Sequence, residues 1–375
     1  MIKKFKDQEV FFGETGSVGY LKDRLAEWGL GRILVVTGKD SFFTSGAAAF
    51  LNEAGADVGF RFSDFEANPT CTDLLKGVNF FKSVKPKCIV AVGGGSVLDM
   101  AKLINFCGVN RINPVDYLER SDNPVCGRDM LPCIAIPTTA GTGSEATHFS
   151  VLYKDKVKYS VADPRMIPDV VILNPALTVN MSPYQTACTG MDALAQGIES
   201  WWAIGSNEES RDYAGKAVRL AWAYLERAVK KSDAESRQKM QEAAYWSGRA
   251  INISKTTLCH ALSYSLTSYF GYPHGHAVAL LLPAVFELHL NSGIISKELT
   301  RCFGCEDGRE ALTKLTQMTK RIEMGPMNRF SPDDIILIAS QVNPDRMKNN
   351  PLAVNREVIH RVLAMALMKK APLRL

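Results

Sequence analysis

No apolar run in this chain of 375 residues approaches the ~18 that a membrane-spanning helix needs. The amino end, residues 1–13, has lysines but neither an apolar core nor a small-residue cleavage site, so no signal peptide is expected. A long basic run is missing too: 44 Lys+Arg against 39 Asp+Glu leave a net charge of +5, spread without basic–aromatic alternation. Nucleic acid and membrane are therefore not expected partners, although a mildly basic balance is compatible with anionic metabolites. Nine cysteines, an odd number, fit reduced thiols in a cytoplasm better than a disulfide framework. Neither the GxGxxG fingerprint nor the GK[ST] ending of a P-loop occurs, and no internal repeat or low-complexity segment is visible. What is present is the composition of a globular protein, 46% hydrophobic and 22% charged, long enough for two domains with sizeable cores.

The first half alternates short apolar runs with helix-like periods. Residues 33–37, 57–62, 88–92, 133–136 and 170–173 read as strands, and residues 41–54, 70–83 and 97–106 as helices. Such alternation implies an α/β domain with a mostly parallel sheet covered on both faces. After Asn174-Pro175 the pattern becomes helical, over residues 184–202, 208–230, 234–253 and 258–269. The expected division is therefore 1–178, an α/β domain, and 179–375, an all-α domain. The active site is expected in the cleft between them, above the carboxyl ends of the strands.

Two loops at strand ends carry glycine and hydroxyls. Gly93-Gly94-Gly95-Ser96 joins a strand to a helix, where backbone N–H groups and the helix start favour phosphate, although alone it could be a tight connection. Pro137-Thr138-Thr139-Ala140-Gly141-Thr142-Gly143-Ser144-Glu145 follows another strand, and together the two point to a nucleotide. In the helical half, Asp192 and Gln196 share one helix face at i, i+4, and His260 and His274 stand in apolar, helix-like surroundings. The four make a mixed oxygen and nitrogen set suited to Fe(II), Zn(II) or Co(II). Each alone has an ordinary alternative, a surface or capping aspartate and a satisfied core histidine. Cys259 points about 100° from His260 on a helix and is left out of the set.

These segments resemble one family, the iron-containing (group III) alcohol dehydrogenases. The resemblance rests on GGGSxxDxAK at residues 93–102, PTTAGTGSE at 137–145, MDAL at 191–194, and the pair His260-Ala261 and Pro273-His274-Gly275. It covers essentially the whole chain. It implies an amino-terminal Rossmann-like domain, a helical carboxyl-terminal domain holding a divalent metal, a dehydroquinate synthase-like architecture, and NAD(P)(H)-dependent interconversion of alcohols and aldehydes. By resemblance Gly94, Gly95 and Ser96 contact pyrophosphate; Thr138, Thr139 and Thr142 line the ribose and nicotinamide; Asn68, Asp99 and Lys158 lie on the cofactor side. Asp192, His260 and His274 match three metal ligands. Members often associate, which is compatible with a homodimer, although the sequence marks no interface.

The chain also departs from the family pattern. Gln196 stands where the fourth ligand is normally histidine, so it either ligates more weakly or holds a metal-bound water. Tyr264 replaces a histidine associated with proton transfer, leaving Tyr264, His276 or a water chain as the proton path. Gly38 stands where NAD-preferring members often carry an aspartate; with Lys39 and Ser41 beside it, NADP(H) is favoured over NAD(H). Lys255, Thr256 and Thr257 replace small apolar residues before the first ligand histidine. One cation and several donors are what a phosphoryl or phosphonyl group needs, the alternative being a solvated helix start. This stretch, with Glu199-Ser200-Trp201-Trp202 and Glu209-Ser210-Arg211, resembles the phosphonoacetaldehyde reductase subgroup most closely. The expected reaction is reduction of a small anionic aldehyde. The alternatives are a dehydrogenase for neutral substrates of the lactaldehyde or butanal type and a non-catalytic nucleotide-binding homologue.

Overall fold

The computed structural model describes residues 1–28, 31–119, 127–154 and 157–368. Strands β1 (Ile2–Lys4), β2 (Glu9–Phe12), β3 (Ile33–Thr37), β4 (Arg61–Phe62), β5 (Cys88–Gly93), β6 (Cys133–Pro137) and β9 (Val170–Leu173) form one sheet, in the order β1-β2-β9-β6-β5-β3-β4. All its neighbours are parallel except β1 on β2, which is antiparallel. The hairpin β7 (Phe149–Lys154) and β8 (Val157–Ala162) forms a second, two-stranded sheet.

The central strands are apolar along their whole length because both faces are covered. On one face the alternating residues Ile33, Val35, Val90, Val92, Ile134 and Ile172 pack with Leu21 and Leu25 of the helix Ser17–Glu27 and with Phe50 and Leu51 of the helix Ala47–Glu53. The expected helix over residues 41–54 is in fact two, Ser41–Thr44 and Ala47–Glu53, because Gly46 takes a left-handed conformation (φ 84°). The strand expected over 57–62 is confined to Arg61–Phe62. β3 connects outward to β4 while its neighbour β5 connects the other way, through the helix Gly95–Asn110, to β6. Such a divergence is where α/β sheets bind ligands, at the carboxyl ends of the strands.

The described residues form two compact units. One comprises Met1–Met181 with Asp233–Tyr245, and the other Ser182–Ser232 with Trp246–Leu375. The helix Ala234–Ser254 thus contributes to both. Every regular element described in the second unit is a helix, and the unit is built on Pro183–Trp202, which packs against Glu208–Lys230 and His274–Asn291. Ser182 starts the central helix by accepting from the Gln185 amide at 3.1 Å, and Pro183 fills its first position. Among the described residues no helix is long and apolar enough to cross a membrane, and all eight cysteines are buried.

Candidate active site

In the first unit the register pairs Thr37 with Val92, which brings Gly38 beside the Gly93–Ser96 turn. The two glycine-containing loops touch: a Cβ on Gly94 would meet Thr139 Cγ2 at 3.2 Å, and one on Gly95 would meet Thr142 Cγ2 at 2.6 Å. Bare backbone at the helix start is therefore closely packed, most tightly at Gly95, and it leaves a cradle suited to a pyrophosphate. Asn68, at φ 59°, gives its amide to Ser96 Oγ at 3.3 Å, and Thr138 gives its amide to Gly93 O at 3.0 Å. Lys158 lies on β8 opposite Tyr153.

Two expected cofactor contacts are occupied otherwise. Asp99 accepts from Ser144 Oγ and, at 3.0 Å, from the Val151 amide, so it holds the second loop and the hairpin. Lys39 pairs with Glu66 at 2.5 Å on the surface. Sequence reasoning missed Lys102. Its buried ammonium donates to Ser144 O (2.9 Å), Thr147 O (3.2 Å) and Phe149 O (2.6 Å) and fixes the far end of the same loop. Burial holds its pKa below the ordinary lysine value.

In the second unit Asp192, His260 and His274 converge, with one potential ligand atom from each lying within 4.8 Å of the others. Asp192 Oδ1 is 3.2 Å from His260 Nε2 and 3.7 Å from His274 Nε2. The far nitrogen of each ring is engaged. His260 Nδ1 donates to Glu199, and His274 Nδ1 faces Ser263 Oγ at 3.4 Å, whose own proton goes to His260 O at 2.8 Å. Both Nε2 lone pairs are thereby turned to the aspartate. Burial disfavours a charged His260, but Glu199 and Asp192 reverse this and hold its pKa well above the ordinary histidine value. The pocket demands a positive charge, and one carboxylate with two oriented imidazoles is a donor set that fits a divalent metal. The His274 side chain is 29% exposed against 4% for the other two, so the cluster opens on its side. Gly275 is obligatory there, since a Cβ would fall 1.9 Å from Cys188 O on the central helix.

Gln196 lies one turn after Asp192, buried, its Oε1 accepting from Ser247 Oγ at 2.8 Å. Tyr264 stacks on His274, ring centroids 5.6 Å apart and planes at 3°, with the Arg346 guanidinium 4.6 Å from the tyrosine centroid. His276 is not part of the cluster, which corrects its expected catalytic role. Its Nδ1 meets Tyr184 Oη at 2.8 Å and its Nε2 meets Gly325 O at 2.8 Å, so both nitrogens serve packing.

Thr257 is a second correction. Its only hydroxyl proton goes to Glu199, and it accepts from Trp202 Nε1 at 2.9 Å, leaving no proton for a phosphonate. Lys255 is exposed, in the left-handed region (φ 60°), and Thr256 is half-buried. Neither side chain has a hydrogen-bond or ion-pair partner among the described residues. Asn349 Nδ2 holds this turn by donating to Ser254 O at 2.7 Å and Thr256 O at 3.0 Å. Glu199 and Asn349 carry no expected role from sequence. Glu199 had a legible signal, because positions 192, 196 and 199 recur at i, i+4, i+7 on one helix face.

The iron-containing alcohol dehydrogenase model matches residues 7–175, and the Fe-containing alcohol dehydrogenase carboxyl-terminal model matches residues 186–367. The NAD-dependent methanol dehydrogenase of Bacillus methanolicus is 34% identical over 285 residues, 73% of each chain. The phosphonoacetaldehyde reductase of Streptomyces viridochromogenes is 32% identical over 319 residues, 79% of this chain and 80% of its own. Among solved structures, the sulfoacetaldehyde reductase of Bifidobacterium kashiwanohense in complex with NAD+ superposes with a TM-score of 0.88 at 29% identity, covering 99% of this chain and 100% of that one.

Proposed function

The chain belongs to the iron-containing alcohol dehydrogenase family, and from that premise we propose that it reduces a small aldehyde bearing an anionic group, phosphonoacetaldehyde to 2-hydroxyethylphosphonate fitting best. Membership makes it an NAD(P)-dependent alcohol dehydrogenase or aldehyde reductase. The observation that carries the finer assignment is the turn before His260: an exposed ammonium and a half-buried hydroxyl, neither with a partner among the described residues, in a backbone held by Asn349. Two of the relatives above are named for acetaldehydes that carry an acidic group, which supports the same substrate class.

When bound, a divalent metal supplies Lewis acidity toward the aldehyde oxygen and a reduced nicotinamide supplies the hydride. Asp192, His260 and His274 would hold the metal, with Gln196 as a weak fourth donor or as the partner of a water. Lys255 and Thr256 bind the phosphonate and so orient the carbonyl. Tyr264, whose ring stacks on His274, would hold or pass the proton that the alcohol oxygen gains. NADP(H) is the favoured cofactor. Gly38 carries no carboxylate to repel a 2′-phosphate, and a Cβ there would meet Ser41 Oγ at 2.2 Å. The Lys39–Glu66 pair is exposed and of the kind worth little, so a 2′-phosphate can displace it.

Steady-state kinetics of Lys255→Ala test the assignment. A hydrogen bond to a charged group contributes roughly 1.5–3 kcal/mol, so kcat/KM for phosphonoacetaldehyde should fall about 10- to 150-fold while butanal is unaffected. An unchanged value would remove Lys255 from the site. The likeness to a methanol dehydrogenase favours a second reading, a neutral alcohol, in which the substitution is silent for every substrate.

A further inference from the structure

We propose that Glu199 is a positioning residue that sets the metal affinity of the Asp192–His260–His274 cluster and couples it to the turn of residues 254–257. The proposal rests on the assignment of that cluster as a metal site.

Glu199 is completely buried, on the same helix as Asp192. Its oxygens take four donors: Thr257 Oγ1, the Cys259 amide at 2.7 Å, the His260 amide at 3.3 Å, and His260 Nδ1. The two amides belong to the first turn of the helix Leu258–Phe270, whose N-cap Thr257 makes no side-chain cap bond. Glu199 therefore caps this helix from another helix and fixes its first ligand at once. Trp202 steadies the assembly by donating to Thr257 Oγ1 and stacking on His289, with centroids 4.4 Å apart.

Two consequences follow for a metal. A carboxylate on Nδ1–H fixes the tautomer that leaves Nε2 free and raises its basicity. Glu199 and Asp192 together also bring two negative charges into one buried pocket, which a divalent cation neutralises. Glutamine at 199 frustrates both. With its NH2 facing the ring it demands an accepting Nδ1 and so protonates Nε2; turned round, that NH2 faces the donors Thr257 and Cys259 N–H.

Zn(II) titration of the chelator-stripped full chain, in competition with a chromogenic chelator, tests this. Glu199→Gln should weaken Zn(II) binding by about 10- to 100-fold, with far-UV circular dichroism and NADPH binding retained. Gln196→His should tighten binding in both backgrounds. Should Glu199→Gln fail to fold, Thr257→Val, which removes one donor from the carboxylate, should still weaken Zn(II) binding. Wild-type affinity in the folded Glu199→Gln protein, or in Thr257→Val where it must substitute, overturns the proposal. A wild type that binds no Zn(II) overturns the metal assignment itself.

Discussion

At the scale of single residues, Glu145 shows how a glycine- and hydroxyl-rich loop stores a pH dependence. It closes the Thr138–Ser144 loop as a buried carboxyl, and burial pushes its pKa up to about 7, with Lys102 offsetting only part of the effect. The folded state thus holds this proton more tightly than the unfolded chain. The resulting stability is complete below about pH 4.5 and is lost as pH rises through about 7, a difference of about 3 kcal/mol. Thermal melts of Glu145→Gln should accordingly lack the decline that wild type shows between about pH 5 and pH 8; a wild-type-minus-variant difference that ignores pH would contradict it. Residue identity was legible for Asp192, His260 and His274 because few side chains suit a metal. It misled for Thr257 and His276, since a polar side chain in a motif can serve a neighbouring carboxylate or carbonyl as readily as a ligand.

At the scale of elements, close backbone approach decides the site. The helices Pro183–Trp202 and His274–Asn291 meet where Cys188 O lies 1.9 Å from the position of a Cβ on Gly275. Any side chain must push the second helix away and carry His274 from Asp192. Gly275→Ala should therefore lower Zn(II) affinity at least about tenfold and reduce the melting temperature, as overpacking of about 1–3 kcal/mol does. Unchanged Zn(II) binding would show that the helices can slide without moving the ligand. The helices Cys71–Val84, Gly95–Asn110, Pro183–Trp202, Glu208–Lys230, Ala234–Ser254 and Leu258–Phe270 and the buried strands β3, β5, β6 and β9 were legible, because uniform apolar runs and 3.6-residue periods reflect burial directly. All three residues of β1 are exposed and the β7–β8 hairpin is largely half-buried, so neither presents an apolar signature. The break at Gly46 was hidden because a single glycine inside a helical period does not announce a left-handed turn.

At the scale of the whole molecule, the alternation of strands and helices followed by helices alone disclosed both kinds of unit, but not the strand order, which depends on pairing between distant segments. The assignment of residues 233–245 to the first unit was equally invisible, since that stretch lies inside one continuous helical period. Fold and family leave the substrate to a few side chains, and on these turns the proposal that the chain reduces a small anionic aldehyde. The most direct measurement is NADPH oxidation by the Zn(II)- or Fe(II)-reconstituted enzyme with phosphonoacetaldehyde beside butanal. A phosphonate recognised by Lys255 and Thr256 should give kcat/KM at least about tenfold higher for phosphonoacetaldehyde. A value equal to or below that of butanal would contradict the claim and return the enzyme to the neutral alcohols.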